Sequence, residues 1–319
     1  MNVRRLAAAA LAIATVGNGL ATTAVPRTAR YPAQAACASP PATSPIYADT
    51  NEQVAQTSRG PIAYYRFGHG SPVLLVTGFR ATLSEWDATF LAELAKHHDV
   101  IVFDNRGIGR SIPDAASFTV EDMARDTAAL IDTLTLHRPT VIGWSMGGSI
   151  VQQLAIDDPS AVGRMVLMSA LAPGASGVPI SPDVETKLSG SPGVTFSDIM
   201  AVLFPASRVA VAERCFGLEM YRPGGYRTPA ISSAVTAGQS ALLKAWAGDD
   251  AAVASLSKVR VATLILSGAD DDIISIRNAQ ALRRLLPESQ LLTIDNAGHA
   301  MMYQFPVALA REIGSFVGR

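Results

Sequence analysis

Ser145 stands in Gly143-Trp144-Ser145-Met146-Gly147-Gly148, directly after the short apolar run Thr140–Trp144. A serine hydroxyl is a poor nucleophile at neutral pH unless a base takes its proton during attack. The G-x-S-x-G spacing offers a way to present it. A strand turns abruptly into a helix, and the serine sits in strained backbone at the turn. Side chains at 143 and 147 would collide with that turn, so glycine is wanted at both. The Met146 N–H is then left free at a helix N-terminus, where developing negative charge is stabilised. The base is His299, in Asn296-Ala-Gly-His299, because imidazole titrates close to neutrality. A carboxylate must fix the imidazole tautomer and stabilise the imidazolium that forms. Asp270, Asp271 and Asp272 stand together in a suitable loop, and the pattern alone leaves all three open. A second oxyanion donor is expected from the loop after Val73–Val76, at the backbone N–H of Phe79, which follows Gly78. The side chains of Phe79 and Trp144 are candidate substrate contacts. Such a set performs acyl transfer to water through an acyl-enzyme.

The elements around these residues explain how they meet. Val73–Val76, Val100–Phe103, Thr140–Trp144, Met165–Met168, Val261–Leu266 and Gln290–Ile294 are short runs, mostly apolar throughout. Helical patterns separate several of them: Thr119 caps one through Leu134, Met146–Ile156 is another, and Asn278–Leu286 and Pro306–Phe316 follow. This is the pattern of a parallel sheet covered on both faces. Val54–Gln56 and Ile62–Tyr65 flank Ser58-Arg-Gly-Pro61 as a hairpin. In a parallel sheet, loops after the strands gather at one edge, so Ser145, the aspartate and His299 converge despite their separation. From about 172 to 250 the alternation stops, and the segment reads as an inserted lid. Leu203, Phe204, Met220, Tyr221 and Tyr226 within it are candidate pocket-lining residues.

The chain of 319 residues carries 26 Lys and Arg against 27 Asp and Glu, with 49% apolar residues. There is no basic stripe for nucleic acid, so a small-molecule partner is expected. Met1-Asn-Val-Arg4-Arg5 and the Ala/Leu-rich run Leu6–Ala21 read as a signal peptide over 1–24, with small residues for cleavage at Ala21, Ala24 or Ala35. Export to the periplasm or medium follows, with no stable membrane span after cleavage. A lipoprotein attached at Cys37 is a minor alternative. Residues 25–48 are Ala/Pro/Ser-rich and expected to be a disordered linker. Pairing of Cys37 with Cys215 is open to an exported chain. The favoured reading makes Cys215 a buried apolar residue and Cys37 free or removed. No Cys/His spacing suggests a metal.

Gly78-Phe79, Asp104-x-Arg-Gly-x-Gly-x-Ser111, Gly143-Trp-Ser-Met-Gly-Gly148, Gly268-Ala-Asp-Asp271 and Gly298-His299 occur in this order. In these pieces the chain resembles the α/β-hydrolase fold superfamily from about residue 50 to the C-terminus. The resemblance implies a mostly parallel α/β sheet with a core over 49–171 and 251–319 and a helical lid over 172–250. It selects Asp271 as the acid and implies no cofactor. Two positions depart from the family pattern: Thr77 stands where histidine is common, and Ser275 where proline is usual. The expected activity is hydrolysis of small carboxylic esters. Alternatives are a cofactor-free peroxidase or perhydrolase, a C–C bond hydrolase, or a non-catalytic ligand-binding protein on the same fold.

Overall fold

In the computed structural model, which describes residues 26–34, 36–47, 51–113 and 117–318, the apolar runs assemble into one nine-stranded sheet. In chain order the strands are β1 (Arg27–Ala29), β2 (Gln53–Thr57), β3 (Gly60–Gly68), β4 (Ser71–Val76), β5 (His98–Phe103), β6 (Thr140–Trp144), β7 (Arg164–Met168), β8 (Thr263–Gly268) and β9 (Ser289–Ile294). Their spatial order is β1-β9-β8-β7-β6-β4-β5-β3-β2. β2 and β3 form the expected antiparallel hairpin, and β3 pairs antiparallel with β5. All other pairings are parallel.

The helices are α1 (Ala88–Leu94), α2 (Val120–Thr133), α3 (Met146–Asp157), α4 (Pro182–Leu188), α5 (Phe196–Leu203), α6 (Val209–Glu219), α7 (Ser233–Ala247), α8 (Asp250–Leu256), α9 (Ile276–Leu285), α10 (Met301–Gln304) and α11 (Pro306–Val317). Every residue of β6 and β8 is buried, as a sheet covered on both faces requires. α1 packs on α11, and α2 on α3, which also meets α8. Local chemistry sets the boundaries. Thr119 caps α2 by accepting the Asp122 N–H, while the Asp122 carboxylate accepts the Thr119 N–H. α4 to α8 fill the interval between β7 and β8, where strand–helix alternation breaks off in the sequence.

Two expectations about the N-terminal region fail. Residues 25–48 do not form a disordered linker where they are described. β1 pairs with β9 from Arg27↔Leu292 to Ala29↔Ile294, and Tyr31 Oη donates to Glu312 at 2.7 Å. Further along, Ala38 N–H donates to the Glu219 carboxylate at 2.9 Å and Ser39 Oγ to the Leu218 carbonyl at 2.8 Å. Cys37 and Cys215 form a disulfide with Cα atoms 4.9 Å apart; neither is free. The Ala/Pro/Ser-rich composition of this stretch predicts disorder only when nothing outside it orders the chain. Here a strand ladder, side-chain hydrogen bonds and a covalent bond to α6 order it, together with burial of Ile46 and packing of Tyr31 and Tyr47 on the core. The signal-peptide region 1–24, the candidate cleavage residue Ala35 and Ala48 lie outside the described residues. Among the described residues no helix is long and apolar enough to cross a membrane.

Candidate active site

Ser145 sits between β6 and α3 with φ 57° and ψ −121°, a left-handed conformation that costs a non-glycine residue about 1–3 kcal/mol. Its surroundings leave no slack. A Cβ on Gly143 would lie 2.4 Å from the Gly147 carbonyl oxygen, and one on Gly147 would lie 2.2 Å from that of Val76. The turn is tied down by Ser145 N–H donating to Met168 O and Gly148 N–H donating to Ser145 O, both at 2.9 Å. Met146 is the first residue of α3, so its N–H belongs to the amides without an intrahelical partner. Ser145 itself is nearly buried, at 7% exposure.

Of the three aspartates, Asp271 is the one that turns inward; Asp270 and Asp272 are exposed. Asp271 Oδ1 accepts the N–H groups of Ile273 and Ile274 at 3.0 and 2.8 Å. His299 Nδ1 lies 3.1 and 3.0 Å from the two carboxylate oxygens. With Nδ1–H donating to the carboxylate, Nε2 is the ring nitrogen left with a lone pair. The imidazole is held from two further sides. Trp144 Nε1 donates to the His299 carbonyl at 3.1 Å, and the two ring centroids are 5.6 Å apart. Gln304 accepts the Gly298 N–H and donates to the Asn296 carbonyl, both at 2.8 Å, closing the loop that carries the histidine.

Ser145 and His299 line one cavity of about 190 Å³ together with Gly78, Phe79 and Trp144. Leu188, Ile199, Leu203 and Phe216 of the helical insertion, with Ile273, supply its apolar wall. Of the insertion residues expected to line a pocket, Leu203 does so. Tyr221 instead stacks on Tyr47, and Tyr226 donates to Asp104 at 2.9 Å. Phe204 packs edge-on against Phe216 and Tyr303, and Met220 is absent from the cavity wall. A larger cleft of about 760 Å³ lies at the N-terminal ends of β6, β7 and β8, near Arg138, Gly163 and Ala262, and holds none of the Ser–Asp–His set.

Several supporting residues escaped the sequence reading. The loop carrying Phe79 is braced by Thr77, whose hydroxyl donates to Ala81 O at 3.2 Å and accepts from Asn105 Nδ2 at 3.0 Å. Thr77, in place of the common histidine, thus has a partner. At the other departure, Ser275 caps α9, its hydroxyl accepting the Arg277 N–H at 3.4 Å. Gln239 of α7 is fully buried and accepts the Arg80 N–H at 2.8 Å. Arg80 and Glu85 also face the cavity. Loss of solvent pushes the Glu85 carboxyl up to about 7, against the Thr82 N–H and the Arg80 charge, which lower it. Asp104, buried beneath the Phe79 loop and accepting from Leu83 N–H and Tyr226, is raised to about 6 by the same cause. Thr82-x-x-Glu85 is a capping box around a short 3-10 helix, a local pattern that could have marked Glu85; Gln239, one polar residue within α7, carries no such pattern.

The family model for the alpha/beta hydrolase fold matches residues 71–306. The chain is 30% identical over 251 residues to a poly(3-hydroxyalkanoate) depolymerase of Ectopseudomonas oleovorans, covering 78% of this chain and 85% of the relative. It is 29% identical over 256 residues to a 2-hydroxy-6-oxo-2,4-heptadienoate hydrolase of Pseudomonas putida, covering 78% and 90%. Among solved structures, a thermophilic esterase from Thermogutta terrifontis superposes with a TM-score of 0.66 at 25% identity, covering 84% of this chain and 98% of that one.

Proposed function

The chain belongs to the alpha/beta hydrolase fold family, and on that premise we propose that it is a serine hydrolase of small carboxylic esters. The observation that carries this reading is the joint placement of Ser145 and His299 in one cavity, with the His299 imidazole oriented by buried Asp271. Ser145 Oγ attacks the ester carbonyl while His299 Nε2 takes its proton. The Phe79 and Met146 N–H groups hold the oxyanion. The C–O bond to the alcohol breaks as His299 returns the proton to the departing oxygen. Water, deprotonated by His299, then attacks the acyl-enzyme, and Ser145 leaves with the carboxylic acid released. Asp271 keeps Nδ1 protonated throughout and offsets the imidazolium charge. Phe79 and Trp144 line the substrate side, and the insertion over 172–250 acts as the lid by contributing the apolar wall. A cavity of about 190 Å³ is smaller than the roughly 300–1,000 Å³ typical of sites for drug-sized ligands, which favours short acyl groups.

The test is a series of p-nitrophenyl esters of increasing acyl length, assayed with wild type and Ser145→Ala. Turnover that peaks at short chains and disappears in Ser145→Ala supports the reading. Absence of turnover on every ester by folded wild type contradicts it. The similarity to a 2-hydroxy-6-oxo-2,4-heptadienoate hydrolase favours C–C bond cleavage on the same residues as the second reading, and a substrate of that kind belongs in the panel. We further read the protein as exported. The Arg4-Arg5 start and the following apolar run favour a cleaved leader. The Cys37–Cys215 disulfide favours an oxidising compartment and engages the sulfur that lipidation would need. N-terminal sequencing of the protein from culture fractions tests this; an intact Met1 in the cytosolic fraction contradicts it.

A further inference from the structure

The cavity beside Ser145 holds two charged side chains that the reaction above does not use. Arg80 and Glu85 have opposite signs and share one wall, yet among the described residues no ion pair includes either of them. The guanidinium is fixed: Nη1 donates to the Leu188 carbonyl at 2.9 Å, and the group is so close to Gly190 that a Cβ there would lie 2.6 Å from Nη1. Its Nε–H is buried and has no acceptor. Leaving such a donor unpaired costs about 1–3 kcal/mol. Arg80 also adopts φ 51°, a conformation in which glycine would be cheaper. On the other side, Glu85 Oε1 accepts one long bond, from Thr82 N–H at 3.3 Å, which leaves acceptor capacity on the carboxyl group.

Above about pH 7, where the Glu85 carboxyl is ionised, an anion drawn to Arg80 would be repelled by Glu85, and a cation drawn to Glu85 would be repelled by Arg80. A neutral group that both accepts and donates satisfies the two together. The remaining wall is apolar, from Leu188, Ile199, Leu203, Phe216 and Ile273, so it pairs with hydrocarbon. We propose that Arg80 and Glu85 form a hydroxyl-recognising subsite, so that the ester substrate carries a free hydroxyl on an otherwise short aliphatic skeleton. The hydroxyl oxygen accepts from the Arg80 guanidinium, and its proton is donated to the Glu85 carboxyl. This rests on the ester-hydrolase reading above and names its substrate class. Desolvation of Glu85, which lifts its carboxyl to about 7, strengthens either of its hydrogen-bonding roles inside the cavity.

The test compares matched esters in the wild-type protein at about pH 8, where Glu85 is ionised: ethyl butyrate, ethyl 3-hydroxybutyrate and 2-hydroxyethyl butyrate, with monoethyl succinate and ethyl 4-aminobutyrate as the charged members. A hydroxylated ester should exceed ethyl butyrate in kcat/KM by at least about tenfold, because a site built to hydrogen-bond a hydroxyl rejects the analogue without it. The two hydroxylated members tell whether the group lies on the acyl or the alcohol side. In Glu85→Met the ratio should fall towards one. Equal rates for hydroxylated and plain esters, or preference for either charged ester, overturn the proposal. Calorimetric binding of the same esters to Ser145→Ala reads the subsite without turnover. If wild type hydrolyses none of them, the esterase reading fails, while a retained binding preference for the hydroxylated ester still upholds the subsite and its loss overturns it.

Discussion

Replacing Glu85 by glutamine should raise the stability of the protein at alkaline pH and leave it nearly unchanged at acid pH. The half-buried carboxyl lines the cavity, and desolvation lifts it to about 7 from an ordinary 4.5. In the folded protein Glu85 therefore keeps its proton up to about pH 7, whereas the unfolded chain releases it near 4.5. Between those values the folded state binds more protons, so its stability falls as pH rises. The interval, at about 1.4 kcal/mol per pH unit, amounts to at most about 3 kcal/mol lost by pH 8. A glutamine side chain removes that titration and retains an Oε1 to accept the Thr82 N–H. Asp104, raised to about 6 by its own burial, carries its penalty in both proteins. Chemical denaturation of wild type and Glu85→Gln at pH 4.5 and 8.5 measures the difference. The variant should gain about 1–3 kcal/mol on wild type between the two pH values. A difference that does not change with pH, or that changes in the opposite sense, refutes the reasoning.

Gly147→Ala should prevent folding or cost more than about 3 kcal/mol, because its Cβ would sit 2.2 Å from the backbone oxygen of Val76; thermal denaturation of the soluble fraction reports it. Removing the Cys37–Cys215 link by Cys37→Ser with Cys215→Ser should lower stability by about 2–4 kcal/mol, read as a lower denaturation midpoint, since the bridge closes a segment with a separation of 178 residues. Gln239→Leu should lower kcat by about tenfold with KM little changed. Its carbonyl holds the Arg80 N–H at 2.8 Å, next to the proposed donor Phe79, and Gln239→Glu, which keeps the acceptor, should restore most of the rate.

The Ser145 turn and the loops carrying Asp271 and His299 were legible because their chemistry forces a local pattern. The turn needs glycine at 143 and 147, and each loop follows a run apolar enough to be a doubly covered strand. The cap at Thr119 was legible for the same reason, since the Thr119–Asp122 bonds are local. What stayed hidden depends on residues far apart in the chain. β1 exists because three residues find an open edge on β9, and the strap after it is ordered by Cys215, Leu218 and Glu219 of α6. The choice of Leu188, Ile199 and Phe216 over Tyr221 and Tyr226 as cavity wall follows from how the insertion helices pack, which no periodicity encodes. Beside Ser145 in the sequence, Trp144 reads as a substrate contact. It does line the cavity, and it also fixes the His299 carbonyl, a contact across 155 positions.

The most direct measurement is covalent labelling with a fluorophosphonate, read by intact mass and by mapping the modified peptide. A single adduct on Ser145, formed slowly in His299→Ala and absent in Ser145→Ala, is the outcome expected if His299 activates this hydroxyl. An unmodified wild-type protein that is folded, or an adduct on another residue, would contradict the assignment of Ser145 as the nucleophile.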